Sequence, residues 1–230
     1  NRTCKGAFLM YRKFFKRVFD IVSSGAVILL LLPFFIIFTP IVAIAMKGNP
    51  FFVQKRPGKD CKIFKMIKYR TMTNAKDKEG NLLPDEDRLT GFGNLMRKLS
   101  IDELPELFNI FKGDMSVVGP RPQLIKDMIF FDDEIMKRQS VRPGLTGLAQ
   151  VRGRNNISWE EKFKYDLEYI EKITFFKDIK IIFKTVFKVL KSSDITAEGM
   201  ATAEDYGDYL LRNEKVSQEE YTRKIEATKR

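Results

Sequence analysis

The sequence predicts an α+β fold, mainly helical, with a re-entrant membrane helix broken at Pro33, interfacial amphipathic helices and a small β element. Three observations lead there. The 26 residues between Asp20 and Lys47 are uncharged. Two short stretches rich in β-branched and aromatic residues flank the turn signal Pro57-Gly58. Most of the remaining chain places its apolar residues at helical spacing.

The first element is "FLMYRKFFKRVF", a basic amphipathic stretch before the uncharged run. As a single helix that run would measure about 39 Å, against the ~30 Å of a hydrocarbon core. Pro33 and Pro40 each remove a helical hydrogen bond and favour a kink. Arg12, Lys13, Lys16 and Arg17 precede the run; Lys47, Lys55 and Arg56 follow it. A spanning helix keeps its Lys and Arg excess on one side. Basic flanks at both ends therefore favour a helix that enters, breaks at Pro33 and returns to the same side, over a kinked span and over the buried helix of a soluble protein, which the apolar run around Pro33 disfavours. No cleavage pattern marks the run as a signal peptide. Asn1 is not Met, so a natural start is expected upstream.

After a turn at Gly48-Asn49-Pro50, "FFVQK" and "CKIFKMIKYRTM" read as strands. Residues 73–91 read as an exposed polar loop. Helices are predicted near 92–98, 101–112, 122–138, 158–172 and 175–191, and the Gly- and Arg-rich stretch 141–156 as irregular. In the last helix Lys177, Lys180, Lys184, Lys188 and Lys191 form one stripe, which suits an anionic interface or the solvated edge of a core helix. The organisation predicted is 1–47 for the basic stretch and membrane helix, 48–199 for a cytosolic catalytic domain, and 200–230 for a peripheral helical tail.

The net charge of +11 is concentrated in the first third, where Asp20 and Asp60 are the only acids through Arg70. Such asymmetry points to an anionic partner. Two cysteines 57 residues apart make no disulfide framework and suit a reducing compartment. With no histidine in the chain, a His/Cys zinc site is excluded, and any metal should be a hard cation on carboxylate and phosphate oxygens.

The chemistry concentrates in "SIDELPELFNIFKGDMSVVGPRP", Ser100 to Pro122. Ser100 and Glu103 match a capping box, and a first helical turn favours acids. Alternatively, Asp102 caps the helix with Pro105 in the first turn, which suits a nucleophile toward phosphorus. Both readings stay open on these residues. Arg97, Arg121 between Pro120 and Pro122, and Arg142, Arg152 and Arg154 in the Gly-rich stretch supply guanidinium groups for bidentate phosphate recognition.

Taken with "KRVFD", "QKRPG", "KYRTM" and "RPGLTGLAQVRGRN", the pattern resembles the bacterial sugar transferase family, specifically the small monotopic phosphoglycosyl transferases, from about Phe14 to Gly199. The resemblance implies transfer of a sugar phosphate from a UDP-sugar to a polyprenyl phosphate such as undecaprenyl phosphate, with UMP released, as the first membrane step of a surface or glycoprotein glycan. It implies Asp102 and Glu103 as the catalytic pair. Asp102 would be both nucleophile and ligand of the required Mg²⁺, with Glu103 assisting metal placement or proton handling. Arg97, Pro120, Arg121, Arg142 and Arg154 would form the substrate site, and Pro33 the break in the membrane helix. The implied setting is the cytoplasmic face of the bacterial inner membrane, with an anionic bilayer as partner; a homo-oligomer is admissible. Leu32, Leu148 and Arg152 stand where serine, tryptophan and a smaller polar residue are common in that family. A basic nucleic-acid-binding protein is the rival from another class, but the chain lacks any such motif and that class leaves the uncharged run unexplained. A membrane scaffold without chemistry would leave the Asp-Glu and Gly-Pro-Arg-Pro arrangement without purpose.

Overall fold

The computed structural model describes residues 10–153, 157–190 and 204–227. A π-helical turn, Tyr11–Phe15, leads into α1, Lys16–Leu30. Helix α2 spans Leu32–Ala45, and its axis departs by 67° from that of the preceding helix. The bend lies at Leu31 (φ −89°, ψ 5°), leaving Pro33 in the first turn of α2 where no amide is required. Pro40, by contrast, lies inside α2 without ending it. Among the described residues no single helix is long and apolar enough to cross a membrane; the bent pair reaches that length and composition only together.

The two arms differ in what they bury. On α1, Lys16, Asp20 and Ser24 recur every fourth residue and face inward. Asp20 accepts from Ser116 Oγ (2.9 Å) and Val117 N (3.0 Å). Lys16 donates to the fully buried Asp178 (2.7 Å), which also accepts from Tyr11 and Tyr169. Arm α2 buries Phe35 and Val42 against Phe64, Met66, Tyr69, Met96 and Ile110, and leaves Ile36, Ile37, Ile41 and Ile44 exposed.

Strands β1, Phe51–Pro57, and β2, Ile63–Tyr69, form the predicted antiparallel hairpin, in register from Phe51↔Tyr69 to Pro57↔Ile63. Asn109 seals the outer edge of β2, accepting from Ile67 N and donating to Lys65 O. Helix α3, Gly91–Lys98, starts at Thr90, whose hydroxyl caps Gly93 N.

The predicted helix 101–112 is divided. Ser100 adopts a left-handed conformation (φ 54°) and caps nothing. A 3₁₀ turn, Ile101–Glu103, follows, and α4, Glu106–Lys112, begins only after Pro105. Neither Ser100 nor Asp102 is the cap; Pro105, which has no amide to offer the ladder, sets the start. The predicted helix 122–138 is also replaced, by single turns Ile125–Met128 and Asp133–Met136 and a 3₁₀ segment, Lys137–Ser140. Asp132 restarts the chain there by accepting from Ile135 N (2.7 Å).

Within the stretch predicted to be irregular lie β4, Gly144–Thr146, and α5, Leu148–Arg152; β4 pairs in parallel with β3, Ser116–Val118. Helix α6, Trp159–Glu171, opens with a reciprocal Ser158–Glu161 capping box, and α7 covers Phe175–Leu190. The tail forms α8, Tyr206–Arg212, and α9, Gln218–Ala227, which pack on Phe130, Trp159 and Phe163.

Candidate active site

The site begins at the 3₁₀ turn. Three carboxylates lie within five residues there, on Asp102, Glu103 and Glu106, and β2 supplies Lys68 against them. Lys68 Nζ stands 2.7 Å from Glu103 Oε1 and 3.1 Å from Glu106 Oε1. Arg121 Nη2 reaches the same Glu103 oxygen at 2.7 Å. Asp102 has no ion pair or side-chain hydrogen bond among the described residues, although Arg97, Lys68 and Arg121 all act on its charge. Arg97 donates from Nε to Thr71 Oγ1 (3.0 Å), just past the end of β2.

These environments separate the three acids. Burial, reinforced by Glu103, pushes Asp102 up to about 6 despite the nearby cations. Burial also opposes ionisation of Glu103, but Arg121 and Lys68 outweigh it and hold that carboxyl well below the usual carboxylate range. Glu106, 3 % exposed, is pushed up to about 7, chiefly by burial and then by Glu103, against Lys68. Lys68 loses charge preference to burial and regains more from Glu103 and Glu106, so it is raised. Glu103 is thus doubly paired, and its contact with Arg121 fixes that guanidinium.

Arg121 is aimed by its backbone. Three consecutive carbonyls of the Gly-Pro-Arg-Pro turn are held from three elements: Pro120 O by Gly144 N (2.9 Å), Arg121 O by Arg138 Nη2 (2.7 Å), and Pro122 O by Arg56 Nη1 (3.2 Å). Arg138 is in turn fixed by the buried Asp166 at 2.6 Å. Glycines permit this approach, since a Cβ on Gly144 would lie 2.1 Å from Gly119 N and one on Gly119 would lie 2.6 Å from Arg142 O.

The predicted residues are thus only partly brought together. Asp102, Glu103, Arg97 and Arg121 share one electrostatic cluster, and Pro120 belongs to the clamped turn. Arg142 is engaged elsewhere, where its Nε donates to Gly113 O (2.8 Å) at the end of α4. Arg154 lies outside the described residues. Sequence reasoning missed Lys68, Glu106, Arg56, Arg138 and Asp166. Lys68 lies within "KYRTM", and Glu106 follows Asp102 by one helical turn, so both carried a signal. The Arg138–Asp166 pair carried none, because nothing in the spacing links residues 28 apart.

For a hard cation, the cluster offers the Asp102 carboxylate. Glu103 and Glu106 are engaged by Lys68, and no group of three or more ligating side chains occurs among the described residues. A Mg²⁺ bound there would have the Asp102 carboxylate as its protein ligand and would take its other oxygens from substrate phosphates and water.

Residues 11–192 match the model of a family described as bacterial sugar transferase. The chain is 49 % identical over 193 residues to an uncharacterized sugar transferase, EpsL, of Bacillus subtilis, covering 83 % of this chain and 95 % of that protein. It is 39 % identical over 184 residues to the UDP-glucose:undecaprenyl-phosphate glucose-1-phosphate transferase of Klebsiella pneumoniae, covering 76 % of this chain and 40 % of that one. To the undecaprenyl-phosphate galactose phosphotransferase of Salmonella typhimurium it is 34 % identical over 197 residues, covering 78 % and 41 %. The family match spans α1 and the Asp102–Arg121 cluster alike, and the chain belongs to the bacterial sugar transferase family.

Proposed function

We propose that this protein transfers a sugar 1-phosphate from a UDP-sugar to undecaprenyl phosphate, releasing UMP and leaving undecaprenyl-diphosphate-sugar, at the cytoplasmic face of the bacterial inner membrane. The observation carrying this reading is the Asp102 carboxylate, unpaired among the described residues and bordered by Lys68, Arg97 and Arg121. Two relatives, at 39 % and 34 % identity, bear names that describe glucose and galactose versions of such a transfer.

In the first step an Asp102 oxygen bonds to the β-phosphorus of the donor. The bond from that phosphorus to the bridging oxygen breaks, and its electron pair leaves on UMP. In the second step an oxygen of the lipid phosphate bonds to the same phosphorus, and the Asp102 carboxylate departs. Each displacement brings an anion toward an anionic phosphate, so the barrier depends on cations already in place. Arg121, held by Glu103 and by its clamped turn, is pre-oriented for phosphate oxygens. Arg97 fills the same need from α3. Mg²⁺ bound at Asp102 would neutralise phosphate charge and favour departure of UMP. Glu106, buried one turn along, keeps Lys68 shared, so Lys68 steadies Glu103 without capturing Asp102.

The lipid acceptor explains the bent pair. Exposed Ile36, Ile37, Ile41 and Ile44 on α2, and Phe176, Phe183, Phe187 and Leu190 on α7, suit one membrane surface. In the re-entrant arrangement both ends of the α1–α2 pair remain cytoplasmic, where a soluble nucleotide and a lipid phosphate meet.

The test is UMP release by detergent-purified protein with Mg²⁺, undecaprenyl phosphate and a panel of UDP-sugars, with Asp102→Asn alongside. Release from one donor, lost in the variant by about a thousandfold or more, is the expected result. Normal turnover in Asp102→Asn would remove the nucleophile; no release from any donor would favour a scaffold that has kept the fold alone.

A further inference from the structure

Helix α6 is linked to the Arg121 turn through Arg138, and the residues concerned on α6 are spaced three and four apart. Asp166 on that face holds Arg138, which holds the Arg121 carbonyl, and the Arg138 guanidinium stacks 5.3 Å from the centre of the Phe163 ring. One turn earlier on the same face is Lys162. Its ammonium lies 4.6 Å from the centre of the buried Trp159 ring. Trp159 is itself fixed between Phe163 and Tyr206, with ring centres 5.5 and 5.3 Å away.

Lys162 has no ion pair or hydrogen bond among the described residues, unlike Lys68, Lys126 and Lys215. The charges acting on it are Arg121, of like sign, and Glu204 at the entry to α8. Burial and Arg121 together press it toward its neutral form, and Glu204 offsets them only in part. A half-buried cation that feels a second cation, with Glu204 offsetting it only in part and no carboxylate in direct contact among the described residues, is stabilised when an anion joins it. The aromatic ring keeps the ammonium stem in place without satisfying its donors.

From this juxtaposition we infer that Lys162 is a substrate-binding residue, which together with Arg121 and backed by Trp159 takes a phosphate group of one of the two substrates. This rests on the phosphoglycosyl transfer proposed above. The phosphate could belong to the nucleotide or to the lipid, and the two sources are separable. Trp159 is the only tryptophan of the chain, so its emission reports directly on the ring beneath Lys162.

The experiment titrates the intact protein in detergent with UDP, with undecaprenyl phosphate and with uridine, following Trp159 fluorescence. Wild type is compared with Lys162→Met, which keeps the stem over the ring and removes the charge, and with Lys162→Arg. The expected result is an emission change with UDP or with the lipid phosphate, weakened about tenfold in affinity by Lys162→Met and restored by Lys162→Arg. Whichever ligand shows the effect identifies the source. In initial-rate UMP release the same variant should raise KM for that substrate about tenfold with kcat within about twofold. Equal affinity for both ligands in wild type and Lys162→Met, no emission change with either, or a uridine response equal to that of UDP would overturn the inference. Fluorescence does not depend on turnover, so failure of the transfer reading leaves this result interpretable.

Discussion

Asp102 and Glu103 are neighbours in sequence with opposite electrostatic fates. Glu103 is ionised by two cations, and Asp102 is left to burial. In the proposed transfer Asp102 attacks as a carboxylate, so kcat/KM for UMP release should rise with pH through about 6 and then level off. If Mg²⁺ binds that carboxylate, the acid limb should move to lower pH as Mg²⁺ is raised. A limb indifferent to the metal would remove Asp102 as its ligand. Glu106 allows a stability test. Its carboxyl, pushed up to about 7, holds a proton more tightly folded than unfolded. The stability this contributes is complete below about pH 4 and is lost as pH rises through 7. Glu106→Gln escapes the loss, so its stability relative to wild type should improve by about 1–3 kcal/mol between pH 5 and 8 in denaturant titrations. A swing in the opposite direction would place the proton on another acid. The sequence identifies the Asp-Glu pair and Arg121 because adjacency and flanking prolines are visible locally. It does not show that Glu103 would be neutralised from β2, since Lys68 lies 35 residues upstream.

At the scale of elements, α4 is held at its end by side chains from elsewhere. Arg17 of α1 donates to Ile110 O (2.7 Å) and Phe111 O (2.8 Å), and Arg142 donates to Gly113 O. These satisfy the last carbonyls of a helix whose first turn carries Glu106. Arg17→Met should therefore cost about 1–3 kcal/mol, read as a drop of several degrees in the unfolding midpoint in detergent. An unchanged midpoint would show that water serves those carbonyls equally well. The hairpin, α3, α6 and α7 were readable because alternation, caps and helical spacing are local signals. Parallel pairing of β3 with β4 was hidden: each strand is three residues long, and their register joins Ser116 to Gly144. The division of 122–138 came from Asp132, a cap residue whose effect a continuous apolar pattern masks.

For the whole molecule, the proposed re-entrant arrangement requires both ends of the bent pair to emerge on the same side of the membrane. The chain carries its own probes, since Cys4 precedes the pair and Cys61 follows it. Cys61 is exposed at the tip of the hairpin. An impermeant thiol reagent applied to inverted inner-membrane vesicles should modify both cysteines, and applied to right-side-out spheroplasts, neither. Modification of one from each side would establish a kinked span instead. The apolar run and its basic flanks are legible in the sequence because charge and length are properties of composition. The inward face of α1 is not, since Lys16 and Asp20 read as flank charges until their partners are known.

Those partners also set a clock. Lys16 and Asp178 are 162 positions apart, and Asp20 waits 96 positions for Ser116. At bacterial elongation of about 5–20 residues per second, α1 emerges roughly 8–30 s before the carboxylate that neutralises its lysine. Throughout that interval Lys16 and Asp20, one helical turn apart, have each other and Arg17 as charged company, beside an uncharged run of 26 residues. In the membrane setting proposed above, that charged face would keep to water and headgroups while the apolar arm inserts, so the polarity that later locks α1 to the rest of the fold would also limit how deeply the newborn chain sinks.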